Sequence, residues 1–318
     1  MRNFLGAMRL IAGPFVTFCA TLVGAAFFVS ALLYFSPGNA ADVVANDEAL
    51  RLALVKDWGL DQSLFHQTFT FLRKAIQGDF GVSLTYRQGM QVSEILKAKA
   101  PVTLLLVSVA LFSSIAVGTT LAFITEGKTF SISRRLLQAV SVLPVFLIAY
   151  LSMVGLDSYA YETTVALDQA PPSWFPLLIE TSALKTALAV ATLAVGSSAL
   201  TETHTALESE IRVIRQSGYV DAARARGDAT WPHTLSNLLP VLANQAATRT
   251  AFLLGGVIIV EKVYGIRGLG DVLWSACRYR DYPLVLGITL LSAAFVCSAR
   301  LIGDWVRLAL DPRLRVRQ

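Results

Sequence analysis

Six apolar runs, at 10–35, 101–124, 136–156, 183–201, 241–260 and 284–306, constrain this chain more than anything else in it. An α-helix rises about 1.5 Å per residue, so about twenty residues cross a hydrocarbon core of roughly 30 Å. The balance of the chain agrees: 54% of residues are hydrophobic and mean hydropathy is +0.57. Only 15% are charged, where a soluble domain carries about 25%. The expected fold class is an all-α, polytopic helical membrane protein with six transmembrane helices. The first run follows Arg2 and Arg9 and precedes Gly38-Asn39-Ala40-Ala41, an arrangement shared with signal peptides. Signal cores span about 7–15 residues, so this longer run reads as a span.

Several function classes lose support at once. The arginines sit beside apolar runs and form no single basic stripe, which argues against nucleic-acid binding. Cys19 and Cys297 fall inside apolar runs and Cys277 in a polar connection, giving neither a disulfide framework nor a metal pattern. His66, His204 and His233 lack ligand spacing such as H-E-x-x-H. Gly265, Gly268 and Gly270 do not make a phosphate loop, because no Gly-x4-Gly-Lys-Ser/Thr occurs. No catalytic, cofactor or metal site is therefore expected, and no enzyme activity.

The polar segments carry the remaining information. Residues 36–100 read as an insert, opened by Ser36-Pro37-Gly38, with a helical pattern from Asp47 to Leu54 and another near Val92–Ala98. Pro101 suits a first helical turn, and Pro144 a kink inside the third span. Residues 202–217 continue helically beyond the fourth span, with Leu207, Ile211 and Ile214 on one face. Next comes Asp221-Ala222-Ala223-Arg224-Ala225-Arg226-Gly227, the centre of a polar stretch at 208–240. Alanine and arginine favour a helix that Gly227 would end. Ala222 and Ala223 leave a shallow side that another backbone can approach. A helix this short buries no core of its own. It is either a plain connection or an insert for a partner's groove.

Six spans place both termini on one side of the membrane. That side receives Arg2, Arg9, Lys128, Arg134, Arg135, Arg212, Arg215, Arg224, Arg226, Arg307, Arg313, Arg315 and Arg317. The short loop 157–182 holds no lysine or arginine, and 261–282 holds Lys262, Arg267, Arg278 and Arg280. The bias puts the termini and residues 202–240 in the cytoplasm. Arg249 lies within the fifth run. Facing lipid would cost a few kcal/mol, so three readings stand: a residue near the cytoplasmic end, a structural ion pair inside the bundle, or a pore-lining cation that meets a cargo carboxylate.

The stretch 221–240 resembles the EAA loop of the permease subunits of bacterial ABC importers. Asp221 stands for the acidic residue, followed by Ala222, Ala223, Gly227 and Leu239-Pro240, with Asn237 where the pattern often has an aliphatic residue. The dipeptide, oligopeptide and nickel branch is indicated by three further stretches. These are Gly59-Leu60-Asp61-Gln62 with Gly78-Asp79-Phe80-Gly81-Val82-Ser83, Val260-Glu261 through Gly268-Leu269-Gly270, and Arg280-Asp281-Tyr282-Pro283. The tail Asp311-Pro312-Arg313 is also similar. Glu202, His204 and Glu208 depart from the family, which has arginines there. The resemblance implies a type I importer permease fold and a cell inner membrane location. It also implies a second homologous permease chain, two cytoplasmic ATP-binding subunits and an extracytoplasmic solute-binding protein.

On that reading, residues 1–100 are the first transmembrane helix plus an extracytoplasmic insert. Residues 101–318 are a five-helix core with the cytoplasmic coupling loop at about 208–240. ATPase coupling falls to Asp221, Ala222, Ala223, Gly227, Leu239 and Pro240. Ser141 to Phe146 resembles a pore-lining Ser-x-Pro-x-Phe segment, so Pro144, Phe146 and Arg249 are the candidate pathway residues. The implied function is half of a translocation pathway for peptides or similar small solutes. The alternative is an ion-coupled secondary transporter, a class that carries mid-membrane ionisable groups; no acidic residue lies mid-span here.

Overall fold

The computed structural model describes residues 2–38, 40–125, 135, 138–139, 141–161 and 182–310. Regular structure there is helical, apart from one isolated antiparallel bridge between Val82 and Gln91. The helices are α1 (Arg2–Phe35), α2 (Ala41–Val44), α3 (Glu48–Asp57), α4 (Leu64–Ile76), α5 (Val92–Thr125) and α6 (Val145–Tyr161). They continue as α7 (Ser182–Gly196), α8 (Ala199–Arg215), α9 (Gly218–Ala225), α10 (Trp231–Tyr264), α11 (Leu269–Arg278) and α12 (Tyr282–Leu310). Glu126, Lys128 and Arg134, the loop with Asp168 and Pro171 to Pro176, and the tail from Asp311 lie outside the described residues.

Among the described residues, three segments are long and apolar enough to cross a membrane: Gly13–Phe35, Val92–Thr125 and Tyr282–Arg307. A fourth is a bent pair, Ala183–Gly196 and Ala199–Arg215, with 51° between its halves. The run 136–156 contributes the shorter apolar helix Val145–Leu156. The run 241–260 lies inside the 34-residue α10, which also carries Arg249, Glu261 and Lys262.

Three expectations change. Pro101 does not open a helix: α5 starts at Val92 and runs through it, absorbing the expected short helix near Val92–Ala98. A long helix holds its remaining ladder around one missing N–H. Pro144 does not kink a helix from within: α6 begins after it, and the Pro144 carbonyl accepts the first bonds, from Leu147 at 2.9 Å and Ile148 at 3.3 Å. Proline disfavours α geometry at the residue before it, so a helix start is the lower-energy solution. The fourth span does not run straight on into 202–217: it breaks at Ser197 and Ser198, where Ser198 takes φ +59°.

The contacts cluster in two units, one of residues 1–103 with 267–301 and one of residues 104–266 with 302–318. In the first unit, α1 packs on α4. Gly287 meets Val92, Leu96 and Phe80 so closely that a Cβ would lie 2.9 Å from Val92. In the second, α6, α7 and α10 pack mutually and α8 lies on α10. A Cβ at Gly196 would lie 2.9 Å from the Val145 backbone, so only glycine lets these helices approach. The Tyr264 hydroxyl shares hydrogen bonds with Ser152 at 2.5 Å and Thr192 at 2.7 Å, tying the three helices together. Ala122, Leu207, Ile211 and Leu238 form a buried cluster joined by Phe123, Ile214, Val241 and Leu242.

Candidate coupling site and pathway residues

The candidate coupling region is built outward from α8. Its apolar stripe places Leu207 and Ile211 at 0% exposure, as a period of 3.6 requires. Glu208 and Arg212 pair across one turn at 3.5 Å. The chain turns at Gln216 and Ser217, and α9 follows, packed back on α8. Val220 and Ala223, three residues apart, are its buried anchors. The expected face of two alanines is thereby divided: Ala223 is turned into its own chain and Ala222 is exposed. At about 100° per residue, the side opposite the anchors is Gly218, Ala222 and Ala225, all exposed. Sequence reasoning missed Gly218 and Ala225; their i, i+4, i+7 spacing with Ala222 was the available signal.

Asp221 and Arg224 flank that side and pair at 3.0 Å. Both are well exposed, so the pair is worth at most about 1 kcal/mol. Gly227 ends α9 as expected. Its φ is +78°, and the Asp228 N–H bonds the Ala223 carbonyl at 3.0 Å while the Gly227 N–H bonds that of Arg224 at 3.0 Å. This is the Schellman arrangement, which needs a left-handed residue at that position. Leu239 and Pro240 do not close a loop. They lie inside α10, with Leu239 exposed, Pro240 half-buried and Leu238 in the core.

The pathway candidates lie in the same unit. Pro144 is exposed ahead of α6, and Phe146 continues as an exposed face with Tyr150 and Val154. Arg249 is 8% exposed. Its guanidinium pairs with Glu202, approaches Gln245 Oε1 at 3.3 Å and lies 5.5 Å from the Phe252 ring centre. Glu202 stands one turn beyond the break at Ser198 and is half exposed. The acidic departure at 202 thus answers the buried cation at 249, a pairing that lone positions in sequence do not advertise. Glu261, taken as the start of a connection, is 0% exposed within α10.

In the other unit the structure brings two singled-out motifs together. Asp281, 0% exposed, accepts from the Ser83 hydroxyl at 2.5 Å and from the Thr85 and Tyr86 N–H groups at 3.2 and 3.0 Å. The Leu284 N–H adds a longer bond at 3.4 Å. Two titratable groups outside the spans are shifted. The hydrogen bond and then the charge of Asp42 raise the pKa of Arg51, and burial pushes up the Cys277 thiol.

A model of the family described as "Binding-protein-dependent transport system inner membrane component" matches residues 114–316. A putative peptide permease protein of Brucella ovis is 29% identical over 311 residues, covering 93% of this chain and 95% of that protein. A second putative peptide permease, from Brucella suis biovar 1, matches equally. The glutathione transport system permease protein of Escherichia coli strain K12 is 28% identical over 308 residues, with 93% and 96% covered.

Proposed function

The chain belongs to the family of binding-protein-dependent transport system inner membrane components, and from that premise we propose how it serves as the permease subunit of an ABC importer. It pairs with a second homologous permease chain, each supplying half of the pathway. Two cytoplasmic ATP-binding subunits drive the pair, and an extracytoplasmic solute-binding protein delivers the cargo. The cargo is a peptide or a similar small solute. The relatives named for peptides and for glutathione, itself a tripeptide, support this. The chain contributes movement rather than catalysis. Residues 1–100 supply the first span and an extracytoplasmic insert, and 101–318 the core, with six spans and both termini in the cytoplasm; the arginine asymmetry supports this orientation.

One observation carries the coupling reading: α9 is an outward-facing helix, closed at its C-terminus by Gly227, whose buried side chains are Val220 and Ala223. Its small-residue side admits a partner's backbone closely. Asp221, Ala222, Gly227, Leu239 and Pro240 form or brace the contact, and Ala223 seats the helix. A push on α9 passes to α8, and through Leu207 and Ile211 to α10. It also reaches the break at Ser198, beside the Arg249–Glu202 pair. A packed element with two discrete arrangements can amplify such a push. Pro144 and Phe146 border the pathway that results, and Arg249 holds its local geometry.

The test is Gly227→Val in the complete complex in vesicles. Valine pays a left-handed strain of about 1–2 kcal/mol, confined to the α9 terminus, so the chain inserts and folds. The expected result is ATP hydrolysis without matching cargo uptake. Normal uptake at normal expression would show α9 to be only a connection.

A further inference from the structure

The insert carries an amphipathic helix whose apolar side is left uncovered. In α4 the packed side is Leu64, Thr68, Phe71 and Ala75, with Thr68 4% exposed. A second apolar stripe, Phe65, Phe69, Leu72 and Ile76, runs the whole helix at i, i+4, i+7 and i+11. Phe65 is 72% exposed, Phe69 71% and Ile76 87%. At about 100° per residue, this stripe lies between the packed side and a polar side that carries His66, Arg73 and Gln77. Lys74 joins Arg73 in the last turn. Left in water, such a stripe costs on the order of 25 cal/mol per Å² of apolar area.

We propose that α4 is a monotopic helix, lying in the membrane–water interface at the end of α1 with Phe65, Phe69, Leu72 and Ile76 in the lipid. The proposal rests on the reading of α1 as a membrane span, but not on which side is cytoplasmic. Continuity with the span's lipid-facing surface identifies the occupant. The Phe65 ring meets Phe27 of α1, centroids 5.2 Å apart, and Phe28, Leu32 and Phe35 carry the exposed apolar surface onward to the end of the span. Phe27 precedes Phe35 by roughly 12 Å of helix rise. Interfacial helices bury their apolar face by about 5–10 Å, somewhat less than this rise, so the Phe65 ring reaches inward from the helix to meet Phe27. The edge-on Tyr34–Phe35 pair supplies aromatic rings at that level. Arg73 and Lys74 are exposed and suited to lipid phosphates. An apolar stripe with phenylalanines, flanked by basic residues, fits the composition of such helices. The insert is therefore held on the bilayer by a second point besides α1.

The test uses the complete importer complex in nanodiscs of phosphatidylethanolamine and phosphatidylglycerol, with Cys19, Cys277 and Cys297 replaced by alanine. Single cysteines at Phe69→Cys, Ile76→Cys, His66→Cys and Val23→Cys carry an environment-sensitive fluorophore. Quenching is measured with lipids brominated near the carbonyls, with lipids brominated near the tail ends, and with aqueous iodide. Labels at 69 and 76 are expected to lose fluorescence chiefly to the shallow bromines, and the label at 66 to iodide. The label at 23, mid-way along α1, should respond to deep bromines. Iodide quenching without lipid quenching at 69 and 76, with 23 still quenched by lipid, would overturn the inference and leave the span intact. Protection of 69 and 76 from both quenchers would mean a protein chain covers the stripe, overturning it equally. Failure at 23 would instead overturn α1 as a span.

Discussion

Asp281 shows how one buried carboxylate organises a segment that periodicity leaves blank. Within Gly81–Met90 backbone carbonyls meet the N–H groups of Ser83, Gly89 and Met90, and Asp281 Oδ2 takes those of Thr85 and Tyr86 together with the Ser83 hydroxyl. Bonds to a charged acceptor contribute about 1.5–3 kcal/mol each, and a buried donor left unmet costs about as much. Asp281→Ala should therefore lower the stability of this unit by about 3 kcal/mol or more, read as an earlier thermal midpoint in detergent. Asp281→Asn keeps an acceptor and should lose less. Arg249 makes a different case. Among the described residues, Glu202→Ala leaves the buried guanidinium with Gln245 and Phe252 and should cost about 1–3 kcal/mol, whereas Arg249→Met removes the charge with its volume kept and should be near neutral. If the same thermal measurement found Arg249→Met the costlier, the pair would be stabilising in its own right.

At the scale of elements, α9 is defined by the difference between its two sides. Val220→Asp would bury an unpaired charge beneath the helix, so α9 should detach and both folding yield and coupling should fall. Ala222→Trp adds bulk only to an exposed side. Chain stability should then stay within about 0.5 kcal/mol, while the ATP-binding subunits no longer co-purify. Retention of those subunits by the tryptophan variant would place their docking elsewhere. The composition of this helix was legible, since Ala-Ala-Arg-Ala ending at glycine can do little else. Which alanine faces outward was not, because the helix phase is set by its packing on α8. The break between α7 and α8 had a signal in Gly196-Ser197-Ser198, a kink-prone run, but its place in the packing was not legible: the bend stands where Ser198 reaches the Ser141 carbonyl at 3.2 Å.

At the scale of the whole molecule, the proposed orientation rests on charge rather than on contacts. A reporter fused after Gln318 should behave as cytoplasmic and one inserted near Asp168 as external. The opposite pattern would invert the chain and put α9 beyond the reach of any ATP-binding subunit.

The sequence by itself determined that the chain is helical and membrane-embedded, since solvation in hydrocarbon depends on local apolar length. It also determined where α9 ends, because a left-handed residue is a property of glycine at one position. The family was readable in short motifs for the same reason. Tertiary structure alone decided which distant groups meet. Ser83 and Asp281 are 198 residues apart, and Glu202 and Arg249 sit on different helices. Their pairing follows from burial, which makes an unmet polar group costly only once the surrounding helices have closed over it.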